Sequence, residues 1–110
     1  MMSYKGYFAR VEFDSEAKLF HGEVLGINDV VTFQGTTVKG LESAFHESVE
    51  DYLDFCAKEG RKPEVTLSGN LNLRMGPEKH RMVKVLADAH DVSINDYINI
   101  AIEEKISREA

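Results

Sequence analysis

Three side chains able to read a base edge recur at alternate positions between Gly69 and Met75: Asn70, Asn72 and Arg74. Asn bonds adenine bidentately and Arg bonds guanine, and both patterns are displayed in the DNA major groove, which admits a two-stranded ribbon. The intervening Leu71, Leu73 and Met75 give the alternation of a strand with one face buried. One strand makes no ribbon, so the spacing predicts two copies paired antiparallel across a two-fold axis.

The residues that follow predict the elements that would hold such a ribbon. Gly76-Pro77 ends the strand, and proline suits a first helical position because its missing N–H would have no partner there. Glu78 falls in the first turn, where a carboxylate favours the helix dipole. Val83, Leu86, Ala87 and His90 recur at helical spacing through Pro77 to His90, with Lys79, Arg81 and Lys84 outside that stripe. Asp91-Val92 is a short turn and Ser93 a good N-cap. Ile94, Tyr97, Ile98, Ala101 and Ile102 then mark a second helix. About 40 residues of strand, helix and helix bury too little core to stand alone, so dimerisation is expected.

The net charge of −6 argues at first against nucleic acid, but its distribution removes the conflict. The chain through Gly60 carries five basic and eleven acidic residues, whereas Arg61 onward has eight of each. Within the second part, Arg74 to Lys84 holds four basic residues and Glu78 alone is acidic. Screening limits attraction to phosphate to about 10 Å at physiological salt, so the local patch governs. The acidic surplus belongs to the first half, where a different partner is expected.

That first half reads as a meander and a helix. Tyr4 to Phe13 alternates, with Tyr7, Ala9, Val11 and Phe13 on one face. Leu19 to Leu25 and Val30 to Gln34 give two further strands after polar turns. Val38, Leu41, Phe45, Val49, Tyr52, Leu53 and Cys56 predict a helix over Thr37 to Lys58, capped by Thr36 or Thr37 and closed by Gly60. Its solvent face carries Glu42, Glu47, Glu50, Asp51 and Asp54. Glu64 to Ser68 is expected to add a fourth strand. The fold class is therefore α+β, a β-β-β-α-β domain over 1–67 followed by a β-α-α domain over 68–110.

Catalytic sets are poorly supported. Two-metal hydrolysis needs converging carboxylates, and only Glu12, Asp14 and Glu47 or Glu50 are candidates, with nothing to fix the remaining ligands. His21, His46, His80 and His90 are not spaced as metal ligands. His80 and His90 read as helix-surface and helix-end residues, and Cys56 as a core thiol. No catalytic residue, metal or cofactor is expected. A single cysteine fits a reducing compartment, and neither a bilayer-spanning run nor a signal-peptide pattern is present, so the cytoplasm is the expected location.

Asn70-Leu-Asn-Leu-Arg74, a proline-started basic helix and Val92-Ser-Ile-Asn95 at the head of a second helix resemble the ribbon-helix-helix fold of Arc-like and MetJ-like repressors. The sequence departs from that pattern at Gly76 and Lys79, where proline and leucine are common. With Thr32-Phe-Gln-Gly-Thr-Thr37, Leu41, Ala44, Phe45 and His80 included, the chain resembles an antitoxin of the HicB family over nearly its whole length. The resemblance implies a degraded ribonuclease-H-like first domain that binds a small basic HicA-type toxin, an mRNA-cleaving ribonuclease, through the acidic set. It implies that the second domain represses the operon encoding the pair, with Asn70, Asn72 and Arg74 reading bases. Ser93, Ile94 and Asn95 would grip a phosphate at the helix start, and Lys79, Arg81 and Lys84 would add attraction to the backbone. A homodimer through the second domain is implied, and association through the first would make a tetramer; the sequence leaves the two open. The alternatives are a stand-alone repressor whose first domain oligomerises or senses a ligand, and a ribonuclease-H-like enzyme with a dimerising tail.

Overall fold

The computed structural model describes residues 1–63 and 67–109. The chain is α+β, with four antiparallel strands in the order β1-β2-β3-β4 and three helices. The strands are β1 (Met2–Tyr4), β2 (Tyr7–Asp14), β3 (Leu19–Leu25) and β4 (Thr32–Gly35), followed by α1 (Val38–Glu59), α2 (Pro77–Ala89) and α3 (Ile94–Glu109). Two compact units result, Met1–Ser68 and Gly69–Ala110.

The expected first strand is in fact two. Lys5 and Gly6 both adopt positive φ, 50° and 81°, between Tyr4 and Tyr7, which face each other across the ladder. Positive φ at both central residues is the tight hairpin geometry that matches strand twist, and a Lys-Gly pair accepts it. Met2 to Tyr4 therefore folds back on β2 as a fourth strand at the edge. The expected strand over Glu64 to Ser68 falls in part on residues 64–66, outside the described residues, and Leu67 and Ser68 belong to no strand.

Helix α1 covers one face of the sheet. Thr37 caps its start, its hydroxyl accepting from the Gly40 N–H at 3.0 Å. At the other end Gly60 sits at φ 65°, and the Arg61 N–H reaches back to the Cys56 carbonyl at 2.9 Å. That left-handed closure satisfies carbonyls that the last helical turn leaves open. Leu41, Phe45, Val49, Tyr52 and Cys56 form the buried stripe, against Tyr7, Ala9, Val24 and Phe33 of the sheet. Phe33 stacks on Phe45 with ring centres 5.1 Å apart. A side chain at Gly22, opposite Phe33 in the ladder, would fall 2.3 Å from that ring, so glycine makes the room it occupies. Two expected core residues are outside: Phe13 lies near the end of β2 beyond the helix's reach, and Val38 sits in the exposed first turn of α1.

The second unit is α2 packed on α3. Asp91 takes φ 55° after α2, and the Val92 N–H bonds the Ala87 carbonyl at 3.0 Å, reversing the chain into α3. Ala87 is its single fully buried residue among those described. Residues 70–76 join no strand within the single chain, whereas the expected ribbon is formed between two copies. A ribbon strand needs an opposite strand to bond, and one copy supplies none for this segment.

Candidate nucleic-acid and protein-binding surfaces

The candidate base readers Asn70, Asn72 and Arg74 are exposed in the segment that leads into α2. The alternate residues Leu71 and Leu73 are exposed too, and Met75 half-buried. On α2, Val83 and Ala87 turn inward, while Met82, Val85 and Leu86 stay in contact with water. On α3, Ile94, Tyr97 and Ile98 are half-buried and Ala101, Ile102 and Ile106 exposed. His90, expected on the apolar stripe, is exposed at the helix end. This small unit leaves eight large apolar side chains in water (Leu71, Leu73, Met82, Val85, Leu86, Ile100, Ile102, Ile106).

The start of α3 has the geometry of an anion site. The Ser93 hydroxyl accepts from the Asp96 N–H at 3.0 Å, and the Tyr97 N–H bonds the Ser93 carbonyl at 2.9 Å. The N–H groups of Ile94 and Asn95 then have no acceptor within the helix and lie at the positive end of its dipole. The Ser93 hydroxyl keeps its own proton to donate. Lys79 and Arg81 are exposed on α2. Lys84 pairs with Asp88 one turn on at 2.9 Å, a solvent-exposed contact worth only about 0.3–0.5 kcal/mol, so the ammonium can exchange it for another anion.

The acidic set on α1 is not uniform. Glu47 and Asp54 lie opposite the buried stripe, Glu50 and Asp51 on its two flanks, and Glu42 near its N-terminal end; Glu42, Glu47, Asp51 and Asp54 are exposed. Glu50 is different, because the hairpin turn brings Lys5 against its carboxylate and the Tyr4 hydroxyl donates to it at 2.7 Å. The Lys5 ammonium, and then the Tyr4 hydroxyl, hold the Glu50 carboxyl below its usual range. The same hydrogen bonds raise Lys5 and Tyr4. Tyr4 also stacks on His46 with ring centres 4.0 Å apart. Glu50 thus fastens β1 to α1; Glu47, Asp51 and Asp54 form an open acidic face, while Glu42, half a turn round the helix from Asp51, lies on the other side beside Val38 and Leu41. Nothing near Glu50 in sequence announced this, since Lys5 lies 45 positions away.

The carboxylates considered for hydrolysis do not converge. Glu12 and Asp14 sit on the sheet face away from α1, opposite His21 and Leu19, while Glu47 and Glu50 belong to the helix on the other side. Cys56 is buried in the core. Beside Asp51, a groove of about 470 Å³ runs between α1 and the start of β4, lined by Val30, Thr32, Tyr52 and Phe55. Sequence reading missed it, although Val30 and Phe55 are large apolar residues outside the expected buried faces.

Fold and surface define a two-unit α+β protein whose acidic first unit has a sheet-and-helix core of its own and whose second unit has a local basic patch and an uncovered apolar face. Among the described residues no helix is long and apolar enough to cross a membrane. Residues 52–102 match the HicB family model, so this segment of the chain is similar to the HicB family. The match runs from the last turns of α1 through most of α3 and contains every candidate base- and phosphate-contacting residue. It points to a toxin–antitoxin related function, in a family of antitoxins. No curated protein and no solved structure gave a significant match to the chain.

Proposed function

We propose that the chain is an antitoxin with two separable binding surfaces, one for its own operator DNA and one for a small basic mRNA-cleaving toxin of the HicA type. The observation that carries this reading is the uncovered apolar row Leu71 and Leu73 within the family-matched segment, alternating along the chain with the polar readers; Met82 and Leu86 on α2 are uncovered as well. Pairing residues 70–75 of two copies antiparallel would bury that row. It would also leave Asn70, Asn72 and Arg74 on the opposite face of a ribbon, sized for the major groove. Each Leu or Ile taken from water contributes roughly 1.5–3 kcal/mol, enough for several to offset an association cost of about 4–15 kcal/mol.

In this arrangement the Ile94 and Asn95 N–H groups and the Ser93 hydroxyl hold a backbone phosphate and fix the register of the ribbon. Lys79, Arg81 and Lys84 add attraction that carries no sequence information. The first unit supplies Glu47, Asp51 and Asp54 as a face complementary to a ribonuclease, which must itself be basic to hold RNA, with Glu42 adding to its negative field. Occupying the toxin's basic surface blocks its access to mRNA, and the DNA-bound pair represses the operon. The protein acts by binding, with no chemistry of its own.

Affinity purification of the tagged chain from its native host in about 150 mM salt, where nonspecific phosphate contacts are weak, tests this reading. A stoichiometric basic protein of under about 100 residues, small enough for a single domain, is expected by mass spectrometry. A chain that came down alone yet still shifted its own upstream DNA would be a plain repressor, and the toxin assignment would fall.

A further inference from the structure

The edge strand β4 combines open backbone groups with apolar flanks and an adjoining groove that carries a carboxylate. Val24 donates to the Val31 carbonyl at 2.9 Å, so the Val24–Val31 pair is hydrogen-bonded, and by alternation so are Gly22–Phe33 and Phe20–Gly35. Thr32 and Gln34 fall in the pairs between, and their N–H and C=O groups point outward from the sheet. Natural edges are usually guarded by a charge, a proline or a bulge; Thr32-Phe-Gln-Gly35 has no charge and no proline. The edge adjoins the groove of about 470 Å³, where Val30 is 84% exposed and Phe55 50% exposed. Asp51 stands on the groove wall, while Asp29 is already paired with Arg61 at 3.0 Å.

We propose that a small basic protein adds an extended segment along the edge of β4, setting an apolar side chain between Val30 and Phe55 and a cationic one against Asp51. This rests on the reading that the acidic unit binds a basic partner, and it moves the centre of that contact from the helix face to the groove beside it. Backbone bonds to Thr32 and Gln34 would supply register, and the alternating side chains of the added strand would supply specificity. The apolar pair forms the desolvated centre, and Glu47, Asp51 and Asp54 form the charged rim that steers the encounter.

Four full-length proteins test it against the basic protein captured by the tagged chain: wild type, Thr32→Pro, Val30→Lys and Glu16→Gln. Proline at position 32 removes an outward N–H and leaves the ladder to β3 intact, so its thermal midpoint should match wild type. Glu16→Gln changes the net charge by the same amount as Val30→Lys but lies in the distant β2–β3 turn. The proposal expects Thr32→Pro and Val30→Lys to bind at least about tenfold more weakly, the effect of losing a central contact, with Glu16→Gln near wild type. It also expects slowed hydrogen exchange at Thr32 and Gln34 in the complex. Equal affinity across all four would overturn the proposal while the antitoxin reading stood, as would equal losses for Val30→Lys and Glu16→Gln. Unchanged affinity with lost self-association in Thr32→Pro would instead make this edge a contact between copies. Capture of no basic protein would remove both readings.

Discussion

Phe45 in the first unit is completely buried, whereas Leu71 in the second is 85% exposed, although both occupy apolar positions of a regular pattern. In the first unit α1 and the sheet meet each other's apolar faces within one chain. In the second, α2 packs on α3 with Ala87 buried and Val83 and Ile98 half-buried, and other apolar residues are left over. A periodic pattern states that a face must be covered; it does not state by which chain. The first unit is therefore expected to fold at any concentration, and the second to depend on its own copy.

The largest break in that comparison comes from the first unit's core. Phe45→Ala should cost about 3–5 kcal/mol in urea unfolding of the sheet-and-helix unit, equally at low and high protein concentration. A cost that shrank on concentrating the protein would show that copies also stabilise this unit. Leu86→Glu addresses the second unit. It should weaken self-association by about a hundredfold, as for a central interface residue, in sedimentation equilibrium, and leave the unfolding of residues 1–68 unchanged.

Within the DNA surface, Arg74→Ala should cost about 1–3 kcal/mol and relax preference at one base, measured by titrating operator variants. Uniform loss on all sequences would show that Arg74 holds phosphate instead. Lys84→Ala should weaken binding to every sequence alike and lower the salt slope by about one. The smallest effect concerns the fastening of β1. Because Glu50 is held below its ordinary 4.5, its contribution is complete above that value and is lost as the pH falls through the lower folded one. The amide signals of Tyr4 and Lys5 should therefore shift together in acid, and Glu50→Gln should remove that step.

Much of this architecture was legible because it is local. Thr37, Gly60 and Ser93 stand at helix ends for reasons contained in three or four neighbouring residues, and the structure uses each of them there. The hairpin at Lys5-Gly6 was missed because the apolar alternation on either side of it continues unbroken through the turn, although the glycine was a visible signal. The pairing of Lys5 with Glu50 and the groove beside β4 depend on contacts between distant parts of the chain, which periodicity does not encode. The ribbon is a third case: its alternation is plain in the sequence, but one copy leaves it without a ladder partner.

The most direct measurement of the central claim is to purify, from the native host, tagged wild type, Leu86→Glu and the double variant Glu47→Lys/Asp54→Lys, and to assay each for a co-purifying small basic protein and for retention of its upstream DNA. Two separable surfaces predict that Leu86→Glu loses the DNA and keeps the protein, while Glu47→Lys/Asp54→Lys keeps the DNA and loses the protein. Loss of both by either variant, or no basic protein with wild type, would contradict the account.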